Sequence, residues 1–283
     1  MNNISVFGGQ GFILGRYVEL YGGDVPKRHF ISSKYSDIIY GRSTIDNYNV
    51  FTDINLDIKT NLSLRMETLN YNRKKFGTDL SISFLSSWFV YGDPKNLPTL
   101  ETDYCTPLGM YGITKYCAEQ LLISYCQTFD LNYRIMRLAN VLGIGDKKIS
   151  CKKNALQYFV REIVNNRSVH LYWPDHTIRD YIYVDDVCTS IALLLSLDKT
   201  KNNIYNVGNS IPIRFGDCVE YVINKTGNNC VDHVERSGFH KIVQTNVMYL
   251  DNTKITHLGY KQTKTIWQML DELIEYYTRE KNG

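Results

Sequence analysis

The chain has 283 residues, 43% of them apolar and 22% charged, which is typical of a soluble globular protein with one large or two small domains. Its 32 basic and 29 acidic side chains are scattered and leave a net charge of +3, so charge does not indicate nucleic acid as a partner. The apolar stretch 191–197 is too short to span a bilayer, and the N-terminus does not resemble a signal peptide. We therefore expect a cytoplasmic protein without a membrane partner.

Cysteine and histidine spacing predicts neither a disulfide framework nor a metal site. The seven cysteines form an odd set without a Cys-x-x-Cys pair, which favours reduced thiols in the cytosol. The six histidines form no pair with ligand spacing. Asp185 and Asp186 are adjacent, and we expect them to cap a helix rather than bind a metal.

Strand-like and helix-like segments alternate along the chain. Strands are predicted at 3–7, 37–41, 80–87, 133–138, 169–173, 180–184 and 204–208, and helices at 12–20, 53–74, 109–128, 154–165, 185–196, 215–226 and 265–280. This alternation predicts an α/β fold, a Rossmann-like, doubly wound parallel sheet. The part after about residue 209 is interpreted as a smaller α+β region appended to it.

A glycine-rich turn lies between the first predicted strand and the first predicted helix. A dinucleotide diphosphate meets backbone N–H groups and a helix N-terminus at such a turn. Gly8 would allow the tight turn, and Gly11 would allow the phosphates to approach closely. The third glycine of the usual pattern should stand at position 14, where this chain has Leu14, so helix–strand packing must differ there. A simple strand-to-helix turn is the alternative.

Ser87, Tyr111 and Lys115 together form a candidate proton-transfer device. Ser87 ends a strand-like run, and Lys115 follows Tyr111 by four residues, a spacing that places both on one helix face. A neighbouring ammonium favours phenolate, so we expect a lowered pKa for Tyr111. The spacing alone is weak, because Tyr-x-x-x-Lys occurs at 71/75, 91/95, 111/115, 221/225, 260/264 and 277/281. The serine strand before it and the helical pattern after it distinguish 111/115.

Six segments in order resemble the extended short-chain dehydrogenase/reductase family, in particular its NAD-dependent nucleotide-sugar epimerases and dehydratases of the UDP-glucose 4-epimerase type. The segments are FGGQGFI (7–13), FLSSWFVYGD (84–93), MYGITKYCAEQ (110–120), RLANVLG (137–143), RDYIYVDDV (179–187) and IYNVGN (204–209). The resemblance implies a homodimer that binds NAD, with NADP not excluded, and a nucleotide-diphosphate sugar.

The resemblance also implies roles for individual residues. The catalytic residues would be Ser87, Tyr111 and Lys115. The cofactor-binding residues would be Gly8, Gln10, Gly11, Phe12, Ile13, Arg42, Asn61, Tyr111 and Lys115. The substrate-binding residues would be Ser87, Asn140, Asn154, Tyr172 and Arg179, with Tyr172 beside the nucleotide base and Arg179 on the diphosphate. The resemblance divides the chain into a dinucleotide-binding domain, 1–142 with about 180–208, and a substrate-binding region, about 143–179 with 209–283.

Some of these residues have plainer interpretations. An arginine fork suits phosphate oxygens and an aromatic ring suits a nucleotide base. Asn140 and Asn154 would otherwise serve a turn or a helix cap. Arg179 would otherwise form a salt bridge to Asp180 or Asp185.

The chain departs from the family before Ser87. It is short by about one βα unit, roughly 30 residues, and the segment YSDIIYGRSTIDNYNV resembles the family's fourth strand although it begins near residue 36. The segment 24–36 offers no clean match to the residue that reads the adenosine ribose. Arg42 stands where small residues are usual and would line the adenine side. The choice between NAD and NADP therefore stays open.

Trp88 and Phe89 follow the catalytic serine, where the family's dehydratases carry an Asp-Glu pair. Neither side chain can transfer a proton, so dehydration and decarboxylation are disfavoured. The leading hypothesis is a nucleotide-sugar 4-epimerase in which Tyr111 is the acid/base. The alternatives are an NADPH-dependent 4-keto-sugar reductase and a non-catalytic module that binds a dinucleotide or nucleotide sugar.

Overall fold

A parallel five-stranded sheet forms the centre of the protein, whose computed structural model describes residues 3–282. The strands are β1 (Ile4–Phe7), β2 (Asp37–Tyr40), β3 (Ser81–Ser87), β4 (Asn132–Leu138), β5 (Asn140–Leu142), β6 (Val169–Tyr172), β7 (Ile178–Arg179), β8 (Tyr181–Tyr183), β9 (Asn203–Val207), β10 (Ile213–Arg214), β11 (Val231–Val234) and β12 (Val247–Met248). The helices are α1 (Phe12–Tyr21), α2 (Leu64–Phe76), α3 (Gly109–Thr128), α4 (Ala155–Val164), α5 (Val184–Ser196), α6 (Phe215–Thr226), α7 (Gly238–Val243), α8 (Thr253–Thr256) and α9 (Ile266–Asn282). A π-helical turn, Ile58–Ser63, leads into α2.

Helices cover both faces of the central sheet, whose strand order is β1-β2-β3-β4-β9. On one face, Tyr17 of α1 and Ile191 of α5 share an apolar cluster with residues of β1, β2 and β4. On the other face, Leu69 of α2 and Leu122 of α3 belong to a second cluster. This arrangement confirms the predicted doubly wound α/β fold.

A third apolar cluster lies outside the central sheet. It joins α4, α6 and α9 to β6 through residues that include Leu156, Val219, Leu270 and Leu171. Short strand pairs brace this part of the chain: β6 with β11, β7 with β10 and β12, and β5 with β8. The sequence predicts the strands at 169–173 and 180–184 but not their short partners.

The chain is abbreviated between α1 and β2, as the sequence predicts. A single parallel bridge joins Asp24 to Ser5 on the outer side of β1, with Val6 donating to the Asp24 carbonyl at 2.7 Å. The chain then runs without helix or strand through residues 25–36 to β2, on the other side of β1. This single bridge lies where a further strand of the sheet would pair with β1. Because no strand forms there, β1 is the edge strand of the central sheet.

Side-chain hydrogen bonds, rather than secondary structure, hold the connection 25–36. The Asn72 carboxamide accepts from the backbone N–H of Ser33 at 2.8 Å and donates to the carbonyl of Ile31 at 2.7 Å. The Ser5 hydroxyl accepts from the backbone N–H of Tyr35 at 3.1 Å. The shortened segment is thus held in a defined conformation by hydrogen bonds to β1 and α2.

Leu14 is accommodated by a glycine on the neighbouring strand end. The Leu14 side chain is buried, and a Cβ atom added to Gly41 would lie 2.5 Å from its Cδ1 atom. In the usual pattern a glycine in the helix allows close packing against the strand. Here Gly41, which follows β2, provides that space instead. This exchange explains how the helix packs closely with leucine at position 14.

Candidate active site

Ser87 and Tyr111 come together at the C-terminal end of β3. Ser87 is the last residue of that strand, and its hydroxyl accepts weakly from the backbone N–H of Phe89 at 3.4 Å. Tyr111 lies in the first turn of α3, where its backbone N–H donates to the Asn47 side chain at 2.9 Å. Catalytic groups of open α/β sheets gather at this end of the strands.

The pKa of Tyr111 is raised to about 12, chiefly by burial; the hydrogen bond with Ser87 lowers it, and the charges of Asp57 and Asp46 raise it. The sequence predicts a pKa lowered by Lys115, and the structure gives the opposite direction. The reason is geometric, because Lys115 contacts the Leu85 carbonyl instead of the phenol. The phenol is protonated at neutral pH in this arrangement.

Lys115 is buried beneath the strand end. Its Nζ atom donates to the Leu85 carbonyl at 2.6 Å and lies 4.3 Å from the centre of the Phe84 ring. The pKa of Lys115 is lowered to about 7, chiefly by burial and secondly by the positive charge of Arg65, while Glu119 acts in the opposite direction. The lysine is therefore partly uncharged near neutrality.

An aromatic wall stands beside Tyr111. The rings of Trp88 and Phe89 stack with centroids 4.0 Å apart, and the Phe89 ring meets the Tyr111 ring edge-on at 5.5 Å. Trp88 is buried, and the Arg179 guanidinium lies 5.1 Å from its ring centroid. Neither ring can donate or accept a proton in catalysis.

Asn61 ties the segment after β2 to α3. It lies in the π-helical turn, where its carboxamide oxygen accepts from the backbone N–H of Thr44 at 2.9 Å. Its amide nitrogen donates to the Thr114 hydroxyl at 2.9 Å, between Tyr111 and Lys115 in α3. π-Helical turns occur frequently at functional sites. In this structure the hydrogen bonds of the Asn61 side chain are made with other residues of the protein.

The glycine turn fits a dinucleotide diphosphate. Gly8 has a φ of +105° and lies so close to Gly41 that a Cβ atom on Gly8 would be 3.1 Å from the Gly41 carbonyl carbon. Gln10 and Gly11 are exposed, and α1 begins at Phe12 with no acidic residue in its first turn. The N-terminal N–H groups of this helix, including that of Ile13, are thus available to an anion.

The adenosine end differs from the family pattern. Arg42 donates to the backbone carbonyls of Phe30 at 2.6 Å, Lys27 at 2.7 Å and Pro26 at 3.2 Å, and it lies 4.7 Å from the Phe7 ring centroid. The side chain braces the loop 26–30 against the end of β1. Arg42 therefore makes its hydrogen bonds with this loop, next to the glycine turn.

The predicted substrate residues are anchored to backbone carbonyls. The Asn140 amide donates to the Asp180 carbonyl at 3.0 Å, and the Asn154 amide donates to the Val141 carbonyl at 2.8 Å. Asn154 precedes α4 but makes no capping bond to it. These two amides hold β5 and the start of α4 to neighbouring backbone, and Asn154 does not form the helix cap of the plainer interpretation.

Arg179 does not form the predicted alternative salt bridge. Its guanidinium donates to the carbonyls of Ile178, Asn246 and Thr245 at 2.8 to 2.9 Å, and burial lowers its pKa to about 10. Asp180 instead accepts from backbone N–H groups, including that of Asn209 at 3.0 Å.

The adjacent aspartates at the start of α5 do not cap that helix, although the sequence predicts it. Asp185 pairs with Arg16 at 2.7 Å, and Asp186 accepts from the backbone and hydroxyl of Thr263. The described part of the chain contains no cluster of ligand residues that could hold a metal ion.

Arg236 is a candidate ligand residue that the sequence reasoning misses. The pairing of β11 with β6 puts Val234 opposite Tyr172, and Arg236 follows two residues later with its guanidinium 5.8 Å from the Tyr172 ring centroid. His240 meets the same ring at 5.0 Å. No local pattern marks Arg236, because its place depends on a pairing between distant strands.

A cleft opens between the start of α3 and the C-terminal segment that carries Arg236. Its volume is about 390 Å³, and its lining includes Asp93, Leu108, Arg236, Lys241 and Thr245. Leu108 directly precedes α3, so the cleft lies next to the helix turn that carries Tyr111. Two cations in such a cleft suit a diphosphate.

The sheet, the glycine turn and the Ser/Tyr/Lys set define a short-chain dehydrogenase/reductase of the extended type. A family model for the NAD dependent epimerase/dehydratase family matches residues 28–208, and the chain belongs to this family. The match begins after the glycine turn and covers the candidate residues Ser87, Tyr111 and Lys115.

Individual relatives support the same family. A putative UDP-glucose 4-epimerase of Methanocaldococcus jannaschii is 28% identical over 192 residues, which are 66% of this chain and 59% of that protein. The UDP-glucose 4-epimerase of Drosophila melanogaster is 26% identical over 96% of this chain and 83% of its own length. The match thus spans about three fifths of the archaeal relative's length.

A solved structure agrees with the fold. The UDP-glucose 4-epimerase of Thermotoga maritima, determined with UDP-glucose, superposes with a TM-score of 0.85 over 99% of each chain at 22% sequence identity. At this identity the likeness establishes the fold alone. Within residues 3–282, no helix is both long and apolar enough to cross a membrane.

Proposed function

We propose that this protein is an NAD-dependent nucleotide-sugar 4-epimerase. The observation that carries the proposal is the aromatic wall: Trp88 and Phe89 leave Tyr111, with Ser87 and Lys115, as the proton-transferring set at the end of β3. A dehydratase needs a further acid and base at the site, and this wall supplies neither. NAD, which the turn with Gly8 and Gly11 and the start of α1 would hold, would supply the hydride chemistry at the sugar C4.

The chain's own residues have separate tasks in this proposal. Ser87 holds the C4 oxygen, and Tyr111 removes and returns the proton of the C4 hydroxyl. The pKa of the Tyr111 phenol is about 12 in this structure, which is too high for a base at neutral pH. For the phenol to act as a base, the Lys115 ammonium must therefore leave the Leu85 carbonyl and approach the Tyr111 oxygen. Lys115 would also hold the nicotinamide ribose.

The geometry supports the assignment of the remaining ligand contacts. The exposed turn with Gly8, Gln10 and Gly11 and the first N–H groups of α1 would hold the cofactor diphosphate. Tyr172 would stack on the nucleotide base, and Arg236 would bind the sugar-nucleotide diphosphate in the cleft. Arg179 would support that site by fixing residues 245–246. The division into a dinucleotide-binding domain and a substrate-binding region remains part of this proposal, as do the homodimer and the cytoplasmic location.

The second candidate is a 4-keto-sugar reductase that consumes NADPH. The protonated Tyr111 favours it, because reduction of a ketone needs a phenol that donates a proton rather than a phenolate that accepts one. The two reactions differ in their use of cofactor. An epimerase interconverts C4 epimers with no net change in NADH, and a reductase oxidises NADPH in proportion to product.

The test is an assay of the purified protein with a panel of UDP- and dTDP-sugars, read by NMR for the C4 epimer and by absorbance for NAD(P)H. Tyr111→Phe should reduce turnover by at least about 100-fold while leaving nucleotide-sugar binding nearly unchanged. Tyr116→Phe, in the same helix, is the matched control and should keep wild-type turnover. Steady NADPH oxidation with a 4-keto sugar, or full turnover in Tyr111→Phe, would contradict the proposal.

A further inference from the structure

Arg65 is a buried arginine without a hydrogen-bond partner. It lies in α2 at 0% exposure, and none of its Nε, Nη1 and Nη2 atoms has a hydrogen-bond partner in the described structure. Buried polar groups are nearly always satisfied, and a guanidinium cannot relieve its charge by losing a proton. The residue therefore opposes folding where it stands, and such violations of local rules tend to mark functional sites.

The cation of Arg65 lies next to the candidate active site. Its Cζ atom is 4.1 Å from the centre of the Phe84 ring, and the Nζ atom of Lys115 is 4.3 Å from the same centre. Two buried cations thus share one ring. The nearby carboxylate of Glu119 is bound by Arg137 at 2.7 Å and also accepts from the Ser86 hydroxyl, so it pairs with neither of them.

Other charged or titratable groups around Lys115 do not offset this imbalance. Tyr111 is neutral at pH 7, and Asp57, which directly precedes the π-helical turn, contacts Thr44 and Asn49 rather than Lys115. On the β2 side, Tyr40 is buried beside Arg65 and its hydroxyl also lacks a partner. Tyr40 carries no charge near neutrality, because burial raises its pKa.

We propose that Arg65 is a positioning residue of the proton-transfer site, acting on Lys115 beside the Phe84 ring that both side chains contact. Its positive charge disfavours a second cation at the ring, so it limits the pH range over which Lys115 stays charged. It also favours the placement in which the lysine nitrogen donates to the Leu85 carbonyl. The lowered pKa of Lys115, in which burial acts first and Arg65 second, agrees with this geometry.

The catalytic consequence rests on the proposed function. Only a charged Lys115 can lower the pKa of Tyr111. Activity that depends on this effect falls as the pH rises through the pKa of Lys115, so Arg65 sets the alkaline limb of the pH profile of kcat/KM. Without Arg65 the lysine would keep its charge, and the enzyme its activity, to higher pH.

A direct test follows the Lys115 side chain by NMR in protein that carries ¹³Cε-labelled lysine, with its signal assigned by its loss in Lys115→Met. The wild-type titration midpoint should lie near pH 7. Arg65→Met should move it upward by at least about one to two pH units, as expected for two charges at most about 8 Å apart at an effective dielectric constant of about 20. Arg65→Lys, which keeps the cation, should leave it near the wild-type value.

Arg73→Met is the matched control. Arg73 lies in the same helix and sits 4.1 Å from the Phe129 ring centroid, but it donates to Tyr125 away from the site. It should change neither the Lys115 midpoint nor the pH profile. Arg65→Met should also raise the melting temperature, because it removes an unpaired buried charge.

Two results would overturn the proposal: a wild-type Lys115 midpoint near 10, or an unchanged midpoint in folded Arg65→Met. A wild-type midpoint near 10 would overturn the proposal even if the variant does not fold. In the activity assay, the alkaline limb of kcat/KM should shift with the NMR midpoint. A shifted midpoint in a protein that turns over no nucleotide sugar would support the role of Arg65 and refute the proposed function instead.

Discussion

Glu119→Gln removes the carboxylate that balances Arg137 beneath the active site. The Arg137 guanidinium donates to Glu119 at 2.7 Å from Nη2 and 3.2 Å from Nε, and the two side chains are 3% and 0% exposed. After the change, Arg137 keeps the Glu101 carbonyl at 3.2 Å and the Tyr91 ring at 4.6 Å, but no anion binds it. Removing one partner of a buried ion pair costs about 3–5 kcal/mol, and we expect the free energy of unfolding to fall by that amount.

Urea unfolding at neutral pH, followed by circular dichroism, measures this loss. Glu275→Gln is the matched control, because its partner Arg279 is 78% exposed and Glu275 is 64% exposed, so the change should cost at most about 1 kcal/mol. The double variant Glu119→Gln with Arg137→Met removes both charges and should recover much of the lost stability. A loss below about 1 kcal/mol in Glu119→Gln, or no recovery in the double variant, would refute the reasoning.

Two further predictions concern pH and packing. Because the pKa of Lys115 falls from 10.5 to about 7 on folding, the unfolded chain binds more protons between these values; the free energy of unfolding should therefore rise with pH across that window, by at most about 1.4 kcal/mol per pH unit, and stay at its lower level below pH 7, where Lys115 is protonated in both states. Urea titrations of wild type and Lys115→Met at several pH values test this, and equal slopes in both would contradict it. Gly41→Ala should cost about 1–3 kcal/mol through its clash with Leu14, whereas Gly238→Ala, with open space around it, should cost less. Thermal unfolding in the Leu14→Ala background should show the Gly41→Ala cost largely relieved, and an undiminished cost there would refute the packing argument.

Local patterns predicted the parts of the fold whose signal is contained in one segment. The strand of β3 and the helix of α3 are long and have clear periodicity, so their bounds were predicted to within a residue. The short strands β10 and β12 each have two residues and exist through pairing with β7, which no local pattern contains. The shortened segment before β2 was predicted because the spacing between the first strand and Ser87 is visibly shorter than in the family that the chain resembles.

The electrostatics of the site could not be predicted in the same way. The Tyr111 and Lys115 pair was found from its spacing and context, but the direction of its pKa shifts was not. Those shifts depend on the Leu85 carbonyl and on Arg65, which the tertiary structure brings to Lys115. Likewise, leucine at position 14 predicted that helix–strand packing differs there. The residue that makes room for the Leu14 side chain, Gly41, follows another strand and could not be identified from the local pattern. Positions fixed by sequence-distant neighbours are the ones that sequence reasoning misses.

The abbreviated sheet has a consequence for how the protein assembles. In the order β1-β2-β3-β4-β9, each strand of the central sheet pairs with the one that precedes it in this sheet along the chain. No strand must therefore insert between two that have already paired. As the chain emerges from the ribosome, the sheet can grow at one advancing edge, which keeps the loop-closure cost of each addition low. With one βα unit fewer, the strands of the central sheet can thus pair in the order in which they are synthesised.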